Sequence, residues 1–335
     1  MHFHPANLTD VQSRTRIRPY ETKLGERILV QAELESSGPR FALFGVKEDL
    51  GARANFGLGG AATAWDAFLN AFLNVQDTPF LRGQEIQLLG HFDFTVLPNH
   101  TDVALMRQQV EQIDAEVSAL VSQIVGAGKI PLIIGGSHAG AYANLKGAAL
   151  GMRKNKPDAV VNCINLDAHS DYRIMEGRHS GNGFRYAQEE GYLQGYSILG
   201  LHENYTPETI LEDLQQHPGI QFSTWEDIFL REKLNFAQAL EQSIAFTQRG
   251  GNRVGIELDV DCIENVLSSA LTPSGISTQQ VRYYLYQTAR RCEIAYLHIC
   301  EAATSLENGL ENRSTGKLLS YLVSDFVKGY LERNP

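Results

Sequence analysis

Ala159-Val160-Val161-Asn162-Cys163-Ile164-Asn165-Leu166-Asp167-Ala168-His169-Ser170-Asp171 decides the reading of this chain. Its first six residues make an apolar run of strand length. Directly after it, two carboxylates flank one imidazole at alternate positions. Alternate residues leaving a strand point the same way, so Asp167, His169 and Asp171 are expected to meet at the strand's exit. Asp-x-His-x-Asp in that place is a cradle of oxygen and nitrogen donors for a metal ion.

Working outward, two more segments carry the same type of ending. Gly135-Gly136-Ser137-His138 follows the strand-like run 130–134, and Asp259-Val260-Asp261 closes the run 254–258. His138, Asp167, His169, Asp171, Asp259 and Asp261 then offer enough donors for two ions. Carboxylate and imidazole without thiolate suit Mn, Fe, Zn or Mg. A two-metal site needs carboxylates that bridge. Asp167 and Asp259 are the expected bridges, because each leads its motif. His138 with Asp171 completes one ion, and His169 with Asp261 the other.

The rest of the chain alternates between the two element types. Strands are expected at 40–46, 130–134, 160–166, 197–201, 220–223, 254–260 and 294–300. Helices are expected at 61–73, 144–152, 183–190, 207–216, 278–290 and 315–331, and 225–249 is mostly helical. A further helix capped by Thr101 carries apolar residues at Val103, Met106, Val110, Ile113, Val117, Leu120 and Ile124, one stripe at helical spacing. Residues 1–38 carry little pattern and are expected to be an N-terminal extension, with His2 and His4 on a loose terminus. Residues 39–335 then form a single catalytic domain. Strand and helix alternate without linker or repeat, which predicts an α/β fold, three layers α/β/α around a mainly parallel sheet. Ligand sites in such sheets lie at the carboxyl ends of strands, where all three motifs fall.

Composition narrows the function. A net charge of −10 without a basic block disfavours nucleic acid as a partner. No apolar run reaches the ~18 residues of a membrane span, and the first 18 residues lack the apolar centre of a secretory signal. Cys163, Cys262, Cys292 and Cys300 lie in or beside apolar runs and read as buried thiols. A cytoplasmic protein is expected.

On these motifs the chain resembles the ureohydrolases: arginase, agmatinase and formimidoylglutamase. Gly-Gly-x-His, Asp-Ala-His-x-Asp and Asp-x-Asp occur in the family's order, and the resemblance covers roughly residues 40–330. It implies an arginase-like fold, a dinuclear manganese centre (two Mn2+ per subunit, other divalent metals being possible), and a homo-oligomer. Two segments resemble the formimidoylglutamase branch: the loop 48–57, and Ser180-Gly181-Asn182-Gly183-Phe184-Arg185. The implied reaction is N-formimidoyl-L-glutamate plus water to L-glutamate and formamide.

Glu301 stands where the family holds the amidine or guanidinium group. Asp171 is the implied proton carrier, and His179 is a candidate shuttle beside Ser180, which occupies the position of the arginase His. Arg53, Asn55, Ser180, Asn182 and Arg185 are candidate substrate contacts. Arg173 and Arg178 share the same loops, and four arginines there suit an anionic small molecule. The chain departs from the family at Ser137, at Glu257 (usually Ser), at Asn182-Gly183, at Glu264-Asn265 and at 272–275. Glu257 is expected on the same side of its strand as Asp259, as an acceptor behind the metals or as a buried acid with a raised pKa. The alternatives are an arginase, an agmatinase or another guanidino-acid hydrolase releasing urea. A binding protein without turnover is a further alternative, and a one-zinc deacetylase fits less well.

Overall fold

The computed structural model describes residues 2–31 and 33–334. Its strands are β1 (Phe3–Pro5), β2 (Leu29–Val30), β3 (Phe41–Lys47), β4 (Ile86–Asp93), β5 (Ile130–Ile134), β6 (Val161–Leu166), β7 (Leu193–Leu201), β8 (Ile220–Thr224), β9 (Val254–Asp259) and β10 (Ile294–Cys300). They form one sheet in the order β1-β4-β3-β5-β10-β9-β6-β7-β8, with β2 paired to β4 off that path. Every pairing is parallel except β1 with β4.

The helices are α1 (Leu8–Arg14), α2 (Leu50–Arg53), α3 (Ala64–Phe72), α4 (Val103–Gly126), α5 (Gly140–Arg153), α6 (Gly183–Glu189), α7 (Glu208–Gln216), α8 (Trp225–Phe229), α9 (Phe236–Thr247), α10 (Thr278–Arg291) and α11 (Thr315–Arg333). They cover both faces of the sheet. On one face Phe68 of α3, Leu240 of α9, Leu285 of α10 and Phe326 of α11 pack with Leu43, Leu132 and Leu258. On the other, Ile113 and Val117 of α4, Leu145 of α5 and Phe184 of α6 pack with Phe44, Ile133 and Ile198. Leu43 and Phe44 are sequence neighbours in opposite cores, as strand alternation requires. The three-layer α/β/α architecture with a mainly parallel sheet is the one expected.

Several local expectations are corrected. The N-terminal segment is not loose. His2 Nδ1 lies 2.7 Å from Glu116 Oε1, the His4 ring stacks on His91, and β1 adds antiparallel to β4. Strand β4 was absent from the sequence reading, because Gln87, Gly90 and His91 interrupt its apolar pattern. Gln87 is accommodated because its side-chain amide donates to the carbonyls of Gln31 and Glu33. Asp102 rather than Thr101 caps α4, its carboxylate accepting from the N–H groups of Ala104 and Leu105. Residues 225–249 are mostly helical, as expected, divided between α8 and α9, the second capped by Asn235.

The four cysteines are buried and unbridged. Among the described residues, no helix is long and apolar enough to cross a membrane.

Candidate metal centre

Strands β5, β10, β9 and β6 are neighbours in the middle of the sheet. The chain reaches them in four separate passes, so their carboxyl ends bring together residues far apart in sequence. After β5, Gly135 and Gly136 take left-handed backbone angles of φ 94° and 77°, a conformation that disfavours other residues. This bend lets the Ser137 N–H (2.5 Å) and Oγ (2.7 Å) both donate to Glu48 Oε1, while the Gly51 N–H donates to Glu48 Oε2 at 3.1 Å. Glu48, just beyond β3, thus fixes the loop that presents His138. Burial pushes its carboxyl up against these donors.

His138 Nδ1 faces three carboxylates: Asp171 Oδ2 at 2.7 Å, Asp167 Oδ2 at 3.1 Å and Asp259 Oδ2 at 3.3 Å. His169 Nδ1 lies 3.1 Å from Asp261 Oδ2 and 3.6 Å from Asp167 Oδ1. Three compact donor groups result: two are made of the expected ligands, His138/Asp167/Asp171/Asp259 and Asp167/His169/Asp261, and a third joins His138 to His298 and Cys300 behind them. All six expected ligands meet in the first two. Asp167 belongs to both of these, as a bridge would. Asp259 belongs to the first, and its Oδ1 accepts from the Asp261 N–H at 2.8 Å.

The surroundings hold these side chains in place. Asn165, two residues before Asp167 on the same side of β6, donates to Asp167 Oδ2 at 2.9 Å and is braced by Tyr196. Tyr205 stacks on His169 with ring centroids 5.1 Å apart. Asp171 and Glu301 sit at φ 45° and 59°, left-handed angles that cost energy for residues with a Cβ and that gather at functional sites.

The electrostatics point to cations. Four carboxylates face two imidazoles. Burial, then the neighbouring Asp167 charge, raises the Asp171 carboxyl to about 6. Burial also acts to raise Asp167, but His138 and His169 outweigh it and hold that carboxyl below the usual range. His138 Nδ1 is buried and has no aligned hydrogen-bond partner despite its three close oxygens. An orphaned imidazole nitrogen amid excess hard oxygen donors fits divalent metal ions.

Glu301, at the end of β10, receives the His138 backbone N–H on Oε1 at 2.8 Å, while its Oε2 is buried and without a partner. Burial, then Asp261 and Glu48, raises this carboxyl to about 8. Glu301 lines a cleft of about 550 Å³ whose wall also includes His138, His169, Asp171, Asp259 and Asp261.

The expected substrate contacts divide. Asn55 and Ser180 line the cleft, as does Arg173, whose Nη1 donates to Asn55 Oδ1 at 3.3 Å. Arg53, Asn182, Arg185 and His179 do not line it. Arg53 turns to Asn99 and Glu307. Arg185 lies over the Tyr172 ring and pairs with Asp213. Asn182 accepts from the buried Arg178, which itself pairs with Asp114 at 2.9 Å and donates to Ala139 O. Arg178 is therefore a clamp beneath the site. The His179 ring is buried, with Nδ1 accepting from the Gly181 N–H at 3.1 Å. Burial, then Arg107 and Arg173, lowers its pKa to about 4.

Glu48, Asn165 and Tyr205 were not among the expected site residues. Alternation with Asp167 was a signal for Asn165, whereas Tyr205 had none. Glu257 is not the acid of raised pKa that was one expectation. Burial acts to raise it, but the opposing charges of His298 and His138 bring it down to about 2.

Known proteins resemble this chain in sequence and in fold. A formimidoylglutamase of Streptococcus pyogenes serotype M6 is 28% identical over 234 residues, covering 67% of this chain and 65% of that protein. The chain thus aligns with just under two thirds of that relative's length. The fold matches formimidoylglutamase from Bacillus subtilis (TM-score 0.75, 19% identity, covering 95% of this chain and 94% of that one). It also matches Trypanosoma cruzi formiminoglutamase with Mn2+ (TM-score 0.74, 20% identity, 93% and 99%). Agmatine ureohydrolase of Thermoplasma volcanium follows (TM-score 0.67, 18% identity, 97% and 98%). The sequence profile of the arginase family matches residues 40–327, a span that includes all six candidate ligands and Glu301, and the chain belongs to that family.

Proposed function

We propose that this chain is a metal-dependent hydrolase of a linear amidine C–N bond, with N-formimidoyl-L-glutamate as substrate and L-glutamate and formamide as products. The observation that carries the proposal is the pairing of two donor groups through the buried Asp167, with the other five candidate ligands, Glu301 and Arg173 all lining one cleft. Curated relatives named formimidoylglutamase support the substrate.

His138, Asp167, Asp171 and Asp259 would hold one ion, and Asp167, His169 and Asp261 the second, with manganese the favoured metal. Such a pair supplies Lewis-acid stabilisation and a nucleophile at neutral pH. The chain's own residues do the rest. Burial favours the neutral Glu301 carboxyl, but cations at the centre and the bound amidine favour its ionised form, in which Oε2 would orient the planar amidine by accepting its N–H groups and balance positive charge beside the attacked carbon. Arg173, with Asn55 and Ser180, grips a carboxylate at the cleft wall. Asp171 takes the proton released by the attacking water and returns it to the leaving nitrogen.

One observation favours a second reading. Arg173 is the single Arg or Lys lining the cleft among the described residues, whereas formimidoylglutamate has two carboxylates. A guanidino acid with one carboxylate, releasing urea, is the second candidate. A cytoplasmic setting and homo-oligomeric assembly complete the proposal; the four buried free thiols suit a reducing compartment.

The test is a product assay on manganese-loaded protein given formimidoylglutamate, arginine, agmatine and a guanidino monocarboxylate. Formamide from the first, absent in Asp259→Ala, is the expected result. Urea from another substrate would retain the chemistry and replace the substrate. No product from any of them would reject the hydrolase reading.

A further inference from the structure

Behind the cluster, away from the cleft, lies a second set of buried polar groups that the proposed reaction does not use. Glu257 stands two residues before Asp259 on β9 and so shares its side of the strand. In register beside it on β10 is His298. His298 Nδ1 lies 2.6 Å from Glu257 Oε2, and the Tyr296 hydroxyl donates to Glu257 Oε1 at 2.8 Å. Gly255 makes room for that tyrosine: a Cβ there would fall 2.6 Å from the Tyr296 ring. All three side chains are buried, and a carboxylate can only accept.

His138 stands between this set and the metal donors. Its Nδ1 faces Asp167, Asp171 and Asp259, and its Nε2 lies 3.6 Å from Glu257 Oε2, within ion-pair range. Phe184 meets the ring edge-on at 5.3 Å. His298 and Cys300 share a compact donor group with His138, but His298 is held by Glu257 and the Cys300 thiol is engaged with Leu258 O at 3.5 Å; the buried Nε2 has no hydrogen-bond partner, and a thiol is a weak acceptor compared with the carboxylate that faces it. An imidazole that gives one nitrogen to a metal carries its proton on the other, and a carboxylate facing that proton fixes tautomer and orientation.

We infer that Glu257, held by His298 and Tyr296, is the positioning residue that commits His138 to metal binding through Nδ1 and thereby sets the affinity of the ion held by His138, Asp167, Asp171 and Asp259. The inference rests on the proposed metal centre. It is specific in one respect: among the described residues His169 pairs only with the ligands Asp167 and Asp261, so only one of the two ions depends on Glu257.

The experiment is titration of metal-free protein with Mn2+ alone, followed by the paramagnetic resonance signal of the free ion. The unmodified chain is expected to bind two ions. Glu257→Gln is expected to bind one of them about 10–100-fold more weakly, with the other unchanged. Two ions of unchanged affinity in Glu257→Gln, or equal weakening of both, would overturn the inference while leaving the metal centre intact. No binding by the unmodified chain would overturn both. If Glu257→Gln does not fold, histidine-selective 15N NMR of the Zn2+-loaded unmodified protein decides. A metal-bound Nδ1 and a slowly exchanging Nε2–H on His138 are expected, and metal on Nε2 would overturn the inference.

Discussion

Glu301 Oε1 accepts the backbone N–H of His138 at 2.8 Å, so the acid at the end of β10 is tied to the residue that offers its imidazole to the metal cluster. The tie leaves Oε2 buried and unpaired, poised for a planar cation. Glu301→Gln keeps an oxygen for the His138 N–H and removes the charge. We expect kcat/KM to fall by about 10²–10³, in the range of a lost transition-state hydrogen-bonding group, with metal content unchanged. A variant as active as the parent chain would remove Glu301 from the mechanism.

Arg178 and Asp114 form a buried pair at 2.9 Å, with the guanidinium also over the Tyr142 and Tyr186 rings. Removing one partner of a buried pair strands the other. Arg178→Met should therefore lower unfolding free energy by about 3–5 kcal/mol in a urea titration. A change below ~1 kcal/mol, the scale of an exposed pair, would show that Arg178 is not a structural clamp.

The His179 ring is buried, and burial together with Arg107 and Arg173 brings its pKa down to about 4. The folded value lies below the ~6.5 of an unfolded histidine, so the unfolded chain binds more protons between those limits. The stability contributed by the neutral ring is complete above about 6.5 and is lost as pH falls toward 4. His179→Asn, which preserves an acceptor for the Gly181 N–H, should make stability less sensitive to acid over that window. The same variant should remain active at neutral pH, because His179 does not line the cleft. A rate loss of about 10²–10⁴, the usual contribution of a general acid or base, would instead identify it as the proton shuttle.

Arg173 is the guanidinium on the cleft wall, partly exposed and also paired with Glu176 at 3.3 Å. Arg173→Met should raise KM for an anionic substrate about tenfold, the equivalent of about 1.4 kcal/mol, with a smaller effect on kcat. Arg173→Lys should recover part of this and lose the two-pronged geometry. Equal KM values in all three proteins would place substrate recognition elsewhere.

The metal motifs were legible because the ligands sit at period two where apolar strands end, a local pattern that folding only has to bring together. The sheet's middle strands were legible for a related reason: strands covered on both faces are short apolar runs. Strand β4 was not, since Gln87 is tolerated there only through backbone partners in a segment more than 50 residues away. The arginines were the least legible part of the site. Arg173, Arg178 and Arg185 are close in sequence, yet one lines the cleft, one is clamped by Asp114 beneath it, and one lies over Tyr172. Loop sequence does not reveal which way each side chain turns, because partners such as Asp114 and Asp213 come from other elements.

The most direct test of the account is metal analysis of the purified, manganese-loaded and dialysed chain beside its Asp167→Asn variant. Asp167 belongs to both donor groups, so the account predicts two ions per chain in the unmodified protein and loss of both in the variant. A single ion in the unmodified protein, or two ions that survive Asp167→Asn, would contradict a centre built around that carboxylate.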